Sequence, residues 1–180
     1  LDPNYAGRDW NLATAMVIKG DALLQVMGDW AKGEFKNANK EAGKDYLCYR
    51  FPGTDGSVLY NTDMFAFFQV STDRQAAQTA LADTTMNPEV QIDFNVIKGS
   101  APARMDVSDA KFDVCGKKAI ADIKAANAKG TFLGSMAQNY AQPPAIATAY
   151  YDVVTKFLHG EIKTSDEAVK QLVMAINGAK

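Results

Sequence analysis

Gly28-Asp29-Trp30 is the stretch whose residue types most directly suggest chemistry. An apolar run over residues 22–27 stops at Gly28, and an acid and an indole follow at once. Glycine lets the backbone turn or approach another group closely. Tryptophan then offers a flat apolar face with one N–H donor. Such an ending suits the floor of a ligand site; it equally suits a core tryptophan at a strand end. The other tryptophan, Trp10, falls in the first turn of a predicted helix, where backbone N–H groups lack partners. Acids such as Asp29 and Asp63 exist, but no spacing indicates the facing carboxylates that glycoside hydrolysis needs. Cys48 and Cys115 are the only cysteines and His159 the only histidine. Neither cysteine lies in a C-x-x-C or near His159, so a zinc site is not supported. In a reducing compartment the cysteines would be two unrelated buried thiols; in an oxidising one they could be a disulfide.

The elements that must carry these residues are read from periodicity. The chain has 180 residues, 47% of them hydrophobic, which suffices for a real core. Its net charge of −2, with no basic patch, argues against nucleic acid. No apolar run approaches the roughly 20 residues of a membrane helix, and the first residues do not read as a signal peptide. Leu1-Asp2-Pro3 lacks a Met, a charged leader and a capped element, so the expectation is that processing or truncation removed something upstream.

Residues 9–16 predict a helix that Asp9 can cap, with Leu12, Ala15 and Met16 on its buried face. Residues 22–27 predict a short buried strand, and 31–43 a weak surface helix. Strands are expected over 46–51, 57–61 and 64–70, with a turn at 52–56 and a break at Asp63. Thr72 and Gln75 have capping-box spacing at the head of a helix over 72–82. Residues 87–97 alternate like a strand yet also fit a helix face. Pro88 at a first helical position and Gly99 at an end decide for helix. The segment 98–104 must then be a loop. Residues 112–128 predict a helix with Ala119, Ile120 and Ile123 inward, and 131–142 an irregular stretch. The helix over 143–158 has the clearest apolar stripe, ending at Gly160. Thr164 and Glu167 form a second capping box before a terminal helix whose inner face is Val169, Leu172, Val173 and Ile176. Short strands among helices make the class α/β.

Several stretches together resemble one family. They are ALLQVMGDW (22–30), FPGTDG (51–56), DMFAF (63–67), VQIDFNVIKGSAPAR (90–104), GSMA (134–137) and PPAIATAYYDVVTKFL (143–158). The chain resembles the C-terminal half of periplasmic sugar-binding proteins of ABC importers, in the glucose or glucose/mannose-binding branch. The resemblance covers nearly the whole chain, and its most specific motif is the Lys-Gly-Ser-x-Pro-x-Arg loop. It implies a two-lobe α/β fold of the periplasmic-binding-protein type, with crossing strands between the lobes and sugar in the cleft. Residues 1–60 would be the first part of the C-terminal lobe. Residues 61–107 would be a returning segment of the N-terminal lobe with the hinge crossings, and 108–180 the rest of the C-terminal lobe.

The resemblance also implies roles. Sugars need planar aromatics for their C–H faces and polar groups for their hydroxyls. Trp30 and Trp10 would lie against the sugar ring, Asp63 would accept from two hydroxyls, and Lys98 would donate to hydroxyl or ring oxygens. Alternatively, Asp63 caps a turn and Lys98 is a solvated lysine at a helix end. Many members of the branch read Ser-Met-Ala-His where this chain has Ser135-Met136-Ala137-Gln138. Glutamine keeps one acceptor and gains an NH₂ donor but loses titration and ring stacking, which bears on sugar preference. Asn139 is an alternative contact, and His159 is read as a surface residue. A Cys48–Cys115 disulfide suits the family.

The expected protein is therefore not an enzyme and needs no cofactor. It would be periplasmic and bind a monosaccharide, glucose or a related hexose, for the permease subunits of an ABC transporter. It would be a monomer at full length, completed by an N-terminal half. A carbohydrate-active enzyme such as a glycoside hydrolase is the rival reading. A sugar sensor that docks a chemoreceptor is compatible with the first.

Overall fold

The computed structural model describes residues 4–54 and 56–179. The unusual start at Leu1-Asp2-Pro3 and Asp55 of the 52–56 turn lie outside these residues. The chain divides into two compact units, Leu1–Gly56 with Met64–Thr131, and Ser57–Asp63 with Phe132–Lys180.

The first unit is helical. Helix α1 spans Trp10–Lys19, with Asp9 at its N-cap position but making no side-chain cap bond. Gly20 ends it at φ 85°, a left-handed conformation that glycine adopts without strain. Its buried residue is Thr14, wholly inaccessible, while the expected core residue Leu12 is exposed. A single 3₁₀ turn, Asp29–Ala31, runs directly into the short helix α2, Lys32–Asn37. Helix α3 spans Thr72–Thr85 and α4 spans Pro88–Lys98. The α3 capping box does not form: Ser71 is the N-cap residue, without a side-chain cap bond.

The helix reading of residues 87–97 holds. The Asn87 side chain accepts from the Glu89 and Val90 amides, Pro88 opens the helix, and Gly99 closes it at φ 91°. Helix α5, Val114–Lys129, is capped by Asp113, whose side chain accepts from the Gly116 amide. Ile120 of α5 packs with Ile92, Val107 and Phe112 to form the core of this unit. Cys48 and Cys115 are bridged, with Cα atoms 5.7 Å apart.

The second unit contains the sheet. Strand β1, Val58–Tyr60, runs parallel to β2, Phe132–Gly134, with Val58 opposite Phe132 and Tyr60 opposite Gly134. Tyr60 stacks on Phe132 at 4.3 Å between ring centroids. Helix α6, Pro144–Leu158, then packs on α7, Ser165–Gly178. Ile146, Ala147 and Val153 of α6 are buried, as is Ile162 in the connection. The Thr164 half of the α7 capping box forms, its side chain accepting from the Glu167 amide. Of its expected inner face, Leu172 and Ile176 are half-buried while Val169 and Val173 are exposed.

Four expectations about strands change. Residues 22–27, 46–51 and 64–70 are not strands. Strand 22–27 was also expected to be buried, yet Leu23 is 95% exposed and Leu24 70%. In 64–70, Phe68 is 80% exposed. An apolar or β-type segment makes a strand only where a ladder partner satisfies the backbone, and apart from the isolated Ala42–Tyr46 bridge these segments have none among the described residues. The stretch 131–142, expected to be irregular, instead supplies β2. No helix among the described residues is long and apolar enough to cross a membrane.

Candidate ligand-binding site

The first unit brings Trp30 and Lys98 onto one corner. Trp30 leaves the short 3₁₀ turn, and its indole folds back over Gly28. A Cβ at Gly28 would meet three carbons of the ring at 2.2–2.5 Å. Gly28 is thus required for space: its backbone is extended, at φ −72° and ψ 166°. The half-buried Trp30 keeps part of its surface accessible.

Lys98 is the last residue of α4, and the start of α2 lies against it, backbone on backbone. A Cβ at Gly33 would stand 2.8 Å from the Lys98 carbonyl oxygen, and one at Gly99 2.7 Å from the Gly33 amide nitrogen. The Lys36 ammonium donates to the Val96 carbonyl at 3.1 Å, a second tie between the same helices. The Lys98 ammonium sits 5.8 Å from the Phe94 ring centroid.

Asp29 closes this corner. Its Oδ2 accepts from the Ala101 amide at 2.7 Å, across 72 residues of sequence. Burial pushes the Asp29 carboxyl above its ordinary range, opposed by the Ala101 bond and by the charges of Lys32 and Lys98. The far end of the 98–104 loop is held as well. The Ala103 amide donates to Gln91 Oε1 at 3.0 Å, and Arg104 reaches both Asp106 and the Met86 carbonyl. Beneath α2, the buried Lys32 ammonium meets Asp113 Oδ1 at 3.2 Å. The same oxygen caps α5 next to the bridged Cys115.

Trp10 opens α1, exposed by 41%. Its carbonyl accepts from Thr14 Oγ1 and from Gln25 Nε2, each at 3.0 Å, while Thr14 Oγ1 donates to Gln25 Oε1 at 2.7 Å. Gln25 thereby ties the exposed 22–27 segment to the turn that carries Trp10. Neither Gln25 nor Asp29 stood out as a fixing residue in the sequence, because their partners are 11 and 72 residues away.

The second unit brings together the other two candidates. β1 and β2 run parallel in register, so Asp63, three residues past Tyr60, and Gln138, four past Gly134, leave the same end of the pair. The loop after β2 is tight. The Ser135 amide donates to the Tyr60 carbonyl at 2.8 Å and the Tyr140 amide to the Ser135 carbonyl at 2.9 Å. Tyr140 Oη donates to the Thr62 carbonyl, pinning the loop beside Asp63. Gly134 is needed for this fold-back, since a Cβ there would lie 2.7 Å from the Tyr140 carbonyl oxygen. Asn139 takes the left-handed conformation at φ 58°. Asp63, Gln138 and Asn139 are exposed, as is His159 at the C-cap of α6. Trp10, Trp30 and Lys98 belong to one unit, Asp63 and Gln138 to the other. Among the described residues no group of three or more His, Cys, Asp and Glu side chains could hold a metal.

No family model matches the chain. It is similar over all its residues to a "Probable sugar-binding periplasmic protein" of Mesorhizobium japonicum, at 68% identity, and to one of the same name in Brucella melitensis, at 58%. An "Uncharacterized ABC transporter extracellular-binding protein" of Pyrococcus horikoshii is 30% identical over 179 residues. These relatives are named as binding proteins, not enzymes, and the first two as periplasmic. The chain spans 43%, 42% and 38% of their respective lengths.

Proposed function

We propose that this chain is part of a periplasmic solute-binding protein that captures a monosaccharide, glucose or a related hexose, and hands it to the permease subunits of an ABC importer. The observation that carries the reading is the Trp30–Lys98 corner. A flat apolar face and a cationic donor are carried by segments whose backbones meet at Gly33 and Lys98, which is the pairing a sugar's C–H face and hydroxyls require. The names of the relatives support the solute class and the periplasmic location. Trp10, Trp30, Asp63, Lys98 and Gln138 are the proposed sugar contacts.

For the whole protein we favour residues 1–60 and 108–180 as parts of a C-terminal lobe and 61–107 as a segment of the N-terminal lobe. The exposure of residues 64–70 and the lack of any buried residue in α3 support it for residues 64–85, whereas Ile92 and Val107 share a core with Phe112 and Ile120. The full-length protein would be a monomer completed by its N-terminal half.

Calorimetric titration of the full-length protein with a hexose panel tests the reading. Micromolar or tighter binding of one hexose is expected, about −8 kcal/mol or better. Trp30→Ala should cost most among the proposed contacts, and Gln138→His should shift selectivity among hexoses rather than stability. Binding of no hexose, or an unchanged affinity in both Trp30→Ala and Asp63→Ala, would refute it. Turnover of chromogenic glycosides would favour the hydrolase instead.

A further inference from the structure

We propose that Asp29 is a positioning residue: its carboxylate, bonded to the Ala101 amide, sets the separation of the Trp30 face from the Lys98 head. The inference rests on the sugar-site reading above for what the positioning achieves. The tie itself stands on geometry alone.

Asp29 and Trp30 are adjacent in one 3₁₀ turn, so whatever fixes the carboxylate fixes the origin of the indole. Lys98 and Ala101 bracket Gly99 and Ser100, both buried, at the end of α4. The Asp29–Ala101 bond therefore joins the backbone that carries the aromatic to the loop that carries the cation. The contact between Gly33 and the Lys98–Gly99 backbone holds the same two segments at van der Waals limit on the other side. Two attachments on either side of Trp30 prevent the turn from rocking against the loop.

The choice of a carboxylate is informative. Burying a charge is unfavourable, and asparagine could accept the same amide bond without that cost. What the carboxylate adds is a negative charge facing two ammonium groups, Lys32 on α2 and Lys98 on α4. Lys32 is already bound to Asp113. Both lysines act on Asp29, so its charge is a minor aid to orienting Lys98, and the amide bond to Ala101 does the positioning.

The test uses the full-length protein that carries this chain, with D-glucose as the probe. Amide hydrogen exchange is followed in peptides covering residues 28–33 and 98–104 without sugar, and affinity is measured by calorimetry. Asp29→Ala should speed exchange in both peptides and weaken D-glucose binding about tenfold or more, the scale of one lost charge-assisted bond. Asp29→Asn should keep Ala101 slow to exchange and restore affinity to within about threefold of the parent, since only the negative charge of residue 29 is lost. Asp29→Leu, which fills the space without an acceptor, should repeat the alanine result if Asp29→Ala does not fold.

Unchanged exchange at 98–104 in both Asp29→Ala and Asp29→Leu would overturn the tie. Native exchange in Asp29→Asn with affinity as poor as Asp29→Ala would overturn the positioning role, assigning the carboxylate a direct contact instead. If the parent itself binds no D-glucose, the glucose reading fails separately, and the exchange data alone decide whether Asp29 holds the corner.

Discussion

Replacing Gly28 by alanine separates binding from folding more cleanly than any other single change in this chain. The new Cβ would lie 2.2 Å from the nearest indole carbon, against an ordinary contact near 3.4 Å, so the ring edge must retreat by about 1.2 Å. At the far edge of an indole that is a swing of roughly 15°, inside one rotamer well and costing about 0.5–1 kcal/mol. The backbone itself accepts alanine, being extended. Removing glycine's freedom from the unfolded chain returns about 0.4–1 kcal/mol. The two effects offset, and denaturant unfolding of the full-length protein should shift by less than about 0.5 kcal/mol.

Affinity has no such offset. A gap of 0.5–1 Å forfeits about a quarter to a half of a dispersion contact. On a stacking scale of about 1–3 kcal/mol, taken by analogy from base–aromatic contacts, the loss is roughly 0.5–1.5 kcal/mol. That corresponds to about a 2- to 12-fold rise in Kd for D-glucose, measured by calorimetry beside Trp30→Ala. If Gly28→Ala binds like the parent while Trp30→Ala does not bind, the indole does not lie over Gly28 when sugar is present. If Gly28→Ala is destabilised by about 2 kcal/mol or more, the ring is locked in a core and is no platform.

Three further outcomes follow from the same unit. Replacing both Cys48 and Cys115 by serine should lower stability by about 4 kcal/mol on the chain-entropy model, read by denaturant unfolding. Two free thiols in denatured, unreduced parent protein would refute the bridge. Asp113→Ala removes the α5 cap and the partner of buried Lys32 together. A loss of about 2–4 kcal/mol is expected, and Asp113→Asn, which keeps the cap, should lose less. Asp29 has a raised carboxyl pKa because burial favours its neutral form. Its stabilising contribution is therefore complete below the ordinary carboxylate range and is lost as pH rises through the folded value. Asp29→Asn should accordingly be more stable than the parent at pH 7, with the difference vanishing as the pH falls below about 4. Equal thermal stability of the two proteins at both pH values would show that the carboxylate is not desolvated.

Helices were legible in the sequence because their signals are local. Asn87-Pro88 and Gly99 bound α4, and Thr164 with Glu167 opens α7, through groups a few residues apart. Of the strands only 57–61 was legible, as β1, because a strand is a relation between distant segments. Residues 58–60 have that relation, with 132–134, although the second segment carried so little apolar pattern that it read as irregular. Residues 64–70 carry the stronger β composition and residues 22–27 a longer apolar run, yet neither has that relation among the described residues.

The candidate site divides along the same line. Gly28-Asp29-Trp30 could be read as a platform because the glycine that makes room for the indole stands two residues from it. What holds that platform could not be read so. The Gly33–Gly99 contact and the Asp29–Ala101 bond each span more than 60 residues, and neither glycine nor acid declares its partner in the sequence. The 98–104 loop shows why such a segment reads as one unit. Its first residue is the proposed donor, and its later residues anchor it, Ala101 to Asp29, Ala103 to Gln91 and Arg104 to Met86 and Asp106. The proposed sugar contact and its fixings are thus packed into seven residues, and a change at any fixing should act on affinity through Lys98.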